Sequence, residues 1–242
     1  DCVTQLNVNA IEPAGATLTI GESGDTVKAN DSVNVNTVKD AGGNTIWVSN
    51  GSGVLSSVNS AFGDALVLLS TQTASADSEV EFTSDIDSTY KEYIFKFVNI
   101  DTATNETYFQ FQTSIDGGSS WGVTTTTTSF YGQTQTNGSY NYGYQTDQDL
   151  AASTSYQAII QYMSTTSTHS GSGYLHIFNP SSTTYQKNFF SRSANYNANA
   201  PPAAPSVYTA GYFNTTSAID AVRFQMNTGN IASGTIKMYG VS

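Results

Sequence analysis

The sequence predicts an all-β protein: an N-terminal β-repeat stalk followed by a C-terminal jelly-roll-like β-sandwich. Three observations carry this expectation. Thr, Val, Tyr and Phe, which favour strands, are abundant, and no long stretch shows helical 3.6-residue periodicity. The first sixty residues repeat themselves. From about residue 65 onward, short runs of alternating apolar residues are separated by turn clusters at roughly 10–20-residue spacing, the texture of a sandwich.

Within residues 1–60, Leu6-Asn7-Val8-Asn9 aligns with Val33-Asn34-Val35-Asn36 at an offset of 27, Ile11 with Val38, and Ala14-Gly15 with Ala41-Gly42. One inserted residue then sets Leu18 and Ile20 opposite Ile46 and Val48. Self-similarity of this kind marks β-solenoids and fibrous stalks. Strands are expected at Ala16–Ile20, Thr26–Ala29, Val33–Val38 and Thr45–Ser49, with a junction at 54–64. Large apolar side chains are too sparse here for one chain to offset an ordering cost of ~1–2 kcal/mol per residue. Three copies wound about one axis would pool their stripes. The expectation is a homotrimeric stalk with a shared core of Leu6, Val8, Leu18, Ile20, Val33, Val35, Ile46 and Val48.

Residues 61–242 form the expected head domain. Strands are predicted near Leu66–Thr73, Glu79–Thr83, Tyr90–Asn99, Thr107–Ser114, Trp121–Tyr131 and Tyr156–Met163. Further strands are predicted near Gly173–Asn179, Gln186–Arg192, Val207–Phe213, Ala221–Met226 and Gly234–Tyr239. Asp116-Gly117-Gly118 reads as a hairpin-type turn, Asp149–Ala152 as one helical turn, and Ser193–Pro205 as a proline-bearing loop.

Charged residues are 11% of the chain, against 12% aromatics, a balance that excludes the disordered class. The formal charge of −11 is uneven: residues 1–120 carry 16 acidic and 4 basic side chains, residues 121–242 carry 3 and 4. With no basic patch, nucleic acid is not an expected partner. No apolar run approaches the ~20 residues of a membrane-spanning helix. Cys2 is the single cysteine, so no intrachain disulfide or cysteine metal site is expected. The chain begins with Asp and shows no signal peptide, and the expectation is a processed or partial product.

The catalytic patterns are weak. His169 sits in a loop, and His176 shares a strand face with Tyr174 and Phe178 without a local carboxylate to complete a metal site. No G-x-S-x-G elbow positions a serine nucleophile. A glycosidase needs two facing carboxylates. Asp85 and Asp87 read better as turn residues, Glu79 and Glu81 as solvent-facing strand residues, and only Asp147, Asp149 and Asp220 follow residue 120. Turn chemistry accounts for Asp40–Asn44 without calcium. No cofactor and no enzymatic activity are expected.

The segment with most functional content is Trp121–Thr146, 26 residues without a charge. Tyr140, Tyr142 and Tyr144 alternate there with Asn141 and Gly143. Flat aromatic faces beside amide and hydroxyl groups suit sugar rings. The candidate glycan-binding residues are Trp121, Tyr131, Tyr140, Tyr142, Tyr144 and, from the later loop, Tyr196. The competing reading packs these tyrosines along a strand or a trimer seam.

Several phrases in order resemble one family: Leu55–Gly63 with Leu66–Ser75, Ile86–Tyr93, Phe178–Ser182, Ala218-Ile219-Asp220 with Phe224 and Met226, and Ser233–Gly240. Together they resemble the C-terminal β-domain of tail-fibre and head-fibre structural proteins of tailed bacteriophages, particularly marine ones. Asn34–Thr45 and Gly21–Thr26 are similar to the stalk repeats that precede such domains. The resemblance covers most of the chain and identifies no active site. It implies a trimeric fibre on the virion surface, joined to other virion proteins through its N-terminal segment, with a tip that recognises host-surface polysaccharide. A capsid decoration or cement protein is the alternative. The few Lys and Arg residues also leave few sites for trypsin-type cleavage, which suits an extracellular fibre.

Overall fold

The computed structural model describes residues 36–40, 42–49, 51–52, 66–197 and 201–241, and the backbone of 55–58. The chain divides into two compact units, Asp1–Phe62 and Gly63–Ser242.

In the first unit, β1 (Thr37–Lys39), β2 (Thr45–Ser49) and β3 (Leu55–Val58) pair antiparallel in that order. β2 forms over the residues expected. β1 covers the end of the expected Val33–Val38 run, whose first three residues lie outside the described ones. Leu55–Val58, expected as junction, is a strand: its Leu-Ser-Ser-Val pattern does not alternate, and it is pairing with β2, Val58 opposite Trp47, that makes it one. Asp40 makes the β1–β2 turn. Its carboxylate accepts from the Asn44 backbone N–H at 2.8 Å and from the Asn44 amide, which holds its pKa below the ordinary 3.8. Ile46 and Val48 are half-buried. The other expected stalk-core residues, Leu6, Val8, Leu18, Ile20, Val33 and Val35, and the runs Ala16–Ile20 and Thr26–Ala29, lie outside the described residues.

The second unit has two antiparallel sheets. Its strands are β4 (Val67–Asp77), β5 (Glu79–Phe82), β6 (Glu92–Thr102), β7 (Thr107–Ser114), β8 (Thr125–Gln135) and β9 (Tyr140–Tyr144). They continue with β10 (Gln157–Met163), β11 (Gly171–Phe178), β12 (Lys187–Asn195), β13 (Ala203–Phe213), β14 (Ala221–Met226) and β15 (Ile231–Val241). The smaller sheet runs β10-β7-β14-β5, and the larger runs β4-β15-β6-β11-β12-β13-β8-β9. No helix occurs among the described residues. The architecture is all-β and sandwich-like.

Alternation explains the core. On β7, Phe109 and Phe111 point inward; on β14, Val222, Phe224 and Met226; on β6, Tyr93, Phe95 and Phe97; all are buried. Phe224 lies at the middle, with ring centroids 5.2 Å from Phe97, 5.5 Å from Phe95 and 5.6 Å from Phe109. Phe111 reaches across to Phe189 of β12 at 5.3 Å. Such offset and edge-to-face contacts are the favoured aromatic geometry.

Four expectations need correction. Trp121–Tyr131 is displaced to β8, Thr125–Gln135, because Gly122 and Val123 are held as a loop on the carbonyl of Thr113. Asp116-Gly117-Gly118 is a turn, with φ of 69° and 86° at the glycines, but it joins β7 of one sheet to β8 of the other and is no hairpin. Asp149–Ala152 is not a helical turn: Ala152 is left-handed at φ 51°, and the tight turn lies at Gln145–Asp149, where the N–H groups of Gln148 and Asp149 both donate to the Gln145 carbonyl. The loop Ser193–Pro205 is shorter than expected, since β12 runs to Asn195 and β13 begins at Ala203. Pro205 is tolerated within β13 because pairing with β12 ends at Ser206 opposite Ala194.

Candidate ligand pocket

The larger sheet has twice the strands of the smaller, and at its β8–β9 end loops border the inner face. The sequence of β8 reflects this. Its inward residues are Thr125, Thr127 and Ser129, all buried and hydrogen-bonded, then Tyr131, Gln133 and Gln135, half-buried. Opposite these in register stand Val207, Pro205 and Ala203 of β13, an apolar strip. The turn after β9 brings up Gln145, whose N–H donates to the Ser129 carbonyl at 2.9 Å, followed by Thr146 and Asp147.

The remaining wall is β10. Its register against β7 slips twice, and between Ile160 and Met163 it carries one more residue than its partner. This bulge places Tyr162 at φ 50°, an uncommon conformation for a bulky side chain. Gln161 and Tyr162 both line the cavity that results, about 360 Å³, closed by Asn197 and Pro201. Gln161 is 2% exposed, and its side-chain Nε2 has no hydrogen-bond partner. Asp147 is the one charged group among the described lining residues.

The walls are braced from behind. Tyr131 accepts a hydrogen bond on its phenol oxygen from the Asn141 amide at 2.7 Å. Its ring covers Gly143, where a Cβ would stand 3.3 Å from the ring edge. Tyr162 meets Tyr108 edge to face at 5.1 Å, and burial together with that neighbour pushes the Tyr108 phenol far above its ordinary value. Tyr144 donates to Asp149 at 2.8 Å, a bond that raises the Tyr144 pKa.

Of the six residues nominated from sequence, the structure brings Tyr131 and Tyr144 to this cavity. Tyr140 and Tyr142, 86% and 73% exposed, stand on the outer face of the β8–β9 hairpin. There Tyr142 adjoins Phe130, which stacks on Tyr208 under Arg192. Trp121 lies elsewhere, beneath the Arg223 guanidinium at 4.7 Å; Arg223 also covers Tyr156 and bonds Glu79 and Gln112. Tyr196 stacks on His169 at 3.6 Å and does not border the cavity. Gln161, Tyr162, Gln133 and Asp147 were missed. Gln161 carried a signal in retrospect: a polar residue inside the otherwise apolar run Ala158–Met163.

His176 does meet a carboxylate, contrary to the local reading. Glu92 of β6, 84 residues away, pairs with its Nδ1, because β11 and β6 are neighbours. Among the described residues, no group of three or more His, Cys, Asp or Glu side chains is placed to hold a metal ion.

No family model, no curated protein and no solved structure matches this chain.

Proposed function

We propose that this protein is a bacteriophage virion component, a trimeric fibre whose C-terminal head holds host-surface glycan in the cavity between β8, β10 and β13. The cavity carries the proposal. It combines aromatic faces, side-chain amides and one carboxylate, the set that grips sugar C–H faces and hydroxyl edges. A single bordering carboxylate favours binding over hydrolysis, which uses a pair ~5–9.5 Å apart. The protein is therefore read as non-enzymatic.

Strand order supports the jelly-roll reading of the head. The half-sheet β4-β15-β6-β11 faces β5-β14-β7-β10, with successive strands crossing between sheets, apart from the β7–β10 neighbours. On this reading β8–β9 and β12–β13 are two inserted hairpins that widen the larger sheet, and they supply most of the cavity. Function then resides in the insertions, and the stalk repeat supplies threefold assembly. Linking three weak sites on one stalk would raise avidity by ~10²–10⁴ over a single site.

A glycan array probed with the full chain tests this. Binding to a restricted set of glycans, lost in Tyr131→Ala, is expected. Absence of binding across bacterial surface glycans would remove the adhesive role and leave the capsid-decoration alternative, which particle imaging would then decide.

A further inference from the structure

We infer that the outer face of the larger sheet is a binding surface separate from the cavity, one for a linear carboxylated polysaccharide laid across the strands over Arg192. Strand register aligns the residues that carry this. Lys237 of β15 stands beside Lys96 of β6, Lys96 beside Tyr174 of β11, and Tyr174 beside Arg192 of β12. Arg192 in turn stands beside Tyr208 of β13, and Tyr208 beside Phe130 of β8. Residues that alternate with them, such as Phe95, Leu175 and Val207, are buried, so the row faces away from the core. At about 4.8 Å between neighbouring strands, the row spans about 24 Å.

Charge points to the occupant. The chain carries a formal charge of −11, yet this row holds Lys237, Lys96 and Arg192 and no carboxylate. None of the three makes an ion pair among the described residues, and Glu92, on the same face, is bound to His176. The Arg192 guanidinium lies over the Tyr208 ring at 5.0 Å, and its Nε donates to Ser206 Oγ at 3.5 Å. The ends of its fork are left for a carboxylate, which a guanidinium holds through two parallel bonds. Beside it lies a shallow depression of about 220 Å³, because the next row pairs Ser172, Ala194 and Ser206, all short. Tyr174 and Arg192 wall this depression and serine hydroxyls line it, a seat for a hydroxylated ring next to its acid group. One exposed ion pair is worth little, so a polymer that also reaches Lys96 and Lys237 is favoured over a free sugar. Nucleic acid fits less well. Tyr208 lies against Arg192 and Phe130, and Phe190 against His176, so these rings offer bases little open face. Two copies of the chain meeting through this face would set cation against cation.

The test titrates the full chain with polygalacturonate, its fully methyl-esterified form and a single-stranded oligothymidine. Polygalacturonate should bind about tenfold tighter than the ester, and more weakly as salt is raised. Arg192→Gln should weaken that binding about tenfold and Lys96→Gln about two- to fivefold, with thermal melts and solution mass unchanged. Should Arg192→Gln fold poorly, Lys96→Gln and the difference between acid and ester decide. Equal binding of acid and ester, undiminished affinity in the variants, or tighter binding of oligothymidine would overturn the inference. Loss of assembly in Arg192→Gln would assign the face to a second copy and overturn it as well. Failure of polygalacturonate while an array glycan binds through Tyr131 removes this inference and leaves the cavity reading standing.

Discussion

Phe224 touches five other aromatic rings, Phe82, Phe95, Phe97, Phe109 and Phe111, and is fully buried. Truncation leaves a cavity walled by both sheets, so Phe224→Ala should cost ~3–5 kcal/mol in a urea melt. Asp116 offers a pH test. Its carboxylate accepts from Ser114 Oγ at 2.7 Å, the Ser120 N–H at 2.8 Å and the Ser120 hydroxyl, and these bonds hold its pKa down at about 2. The native state therefore binds fewer protons than the unfolded state between about 2 and the ordinary 3.8. The contribution is full above 3.8 and is lost as pH falls through about 2. The melting temperature of Asp116→Asn should accordingly lie below that of the unaltered protein at pH 6, with the gap closing toward pH 2. Gly143→Val should push the Tyr131 ring from its seat, weakening glycan binding more than stability, as titration and thermal melts would show.

Strand positions in the head were largely legible. Thr107–Ser114 and Ala221–Met226 form over the residues expected, because one face of each is apolar and the other polar. Boundaries elsewhere moved for local reasons: a glycine loop before β8, a proline tolerated inside β13. The bulges of β10 were not legible, since Gln157–Met163 reads as an unbroken buried strand and only its register against β7 exposes the extra residue at each slip. Tyr162 is the place to probe that bulge. Tyr162→Gly relieves backbone strain of ~1–3 kcal/mol and removes a ring contact with Tyr108 of ~0.5–1.5 kcal/mol. Stability should therefore change by only about 1 kcal/mol while glycan affinity falls, which paired urea melts and titrations would resolve. A much larger loss would mean that packing of Tyr162, and not the ligand, holds the bulge in place.

Assembly belongs to the molecule as a whole. The head unit has its own aromatic core within Gly63–Ser242, whereas in the first unit Ile46 and Val48 are only half-buried. Light scattering should find residues 1–242 trimeric and residues 61–242 monomeric. Monomers in both would remove the proposed shared stalk and, with it, the proposed multivalent mechanism.

Composition and alternation dictate an all-β chain, sparing of charge, with aromatic residues stacked toward a sandwich interior, because burial of alternate side chains is a local property of each strand. Which strands become neighbours is not local. The joining of β8 to β13, the approach of β10, and hence the meeting of Tyr131, Gln161 and Pro205 around one cavity depend on pairings between residues up to 88 positions apart in the chain, Thr125 with Phe213. Side-chain periodicity of two says which face a residue takes and nothing about what lies opposite it. That is why Tyr131 and Tyr144 could be nominated from sequence only together with Tyr140 and Tyr142, which the hairpin turns outward, while the buried Gln161 that borders the same cavity emerged only from the packed sheets.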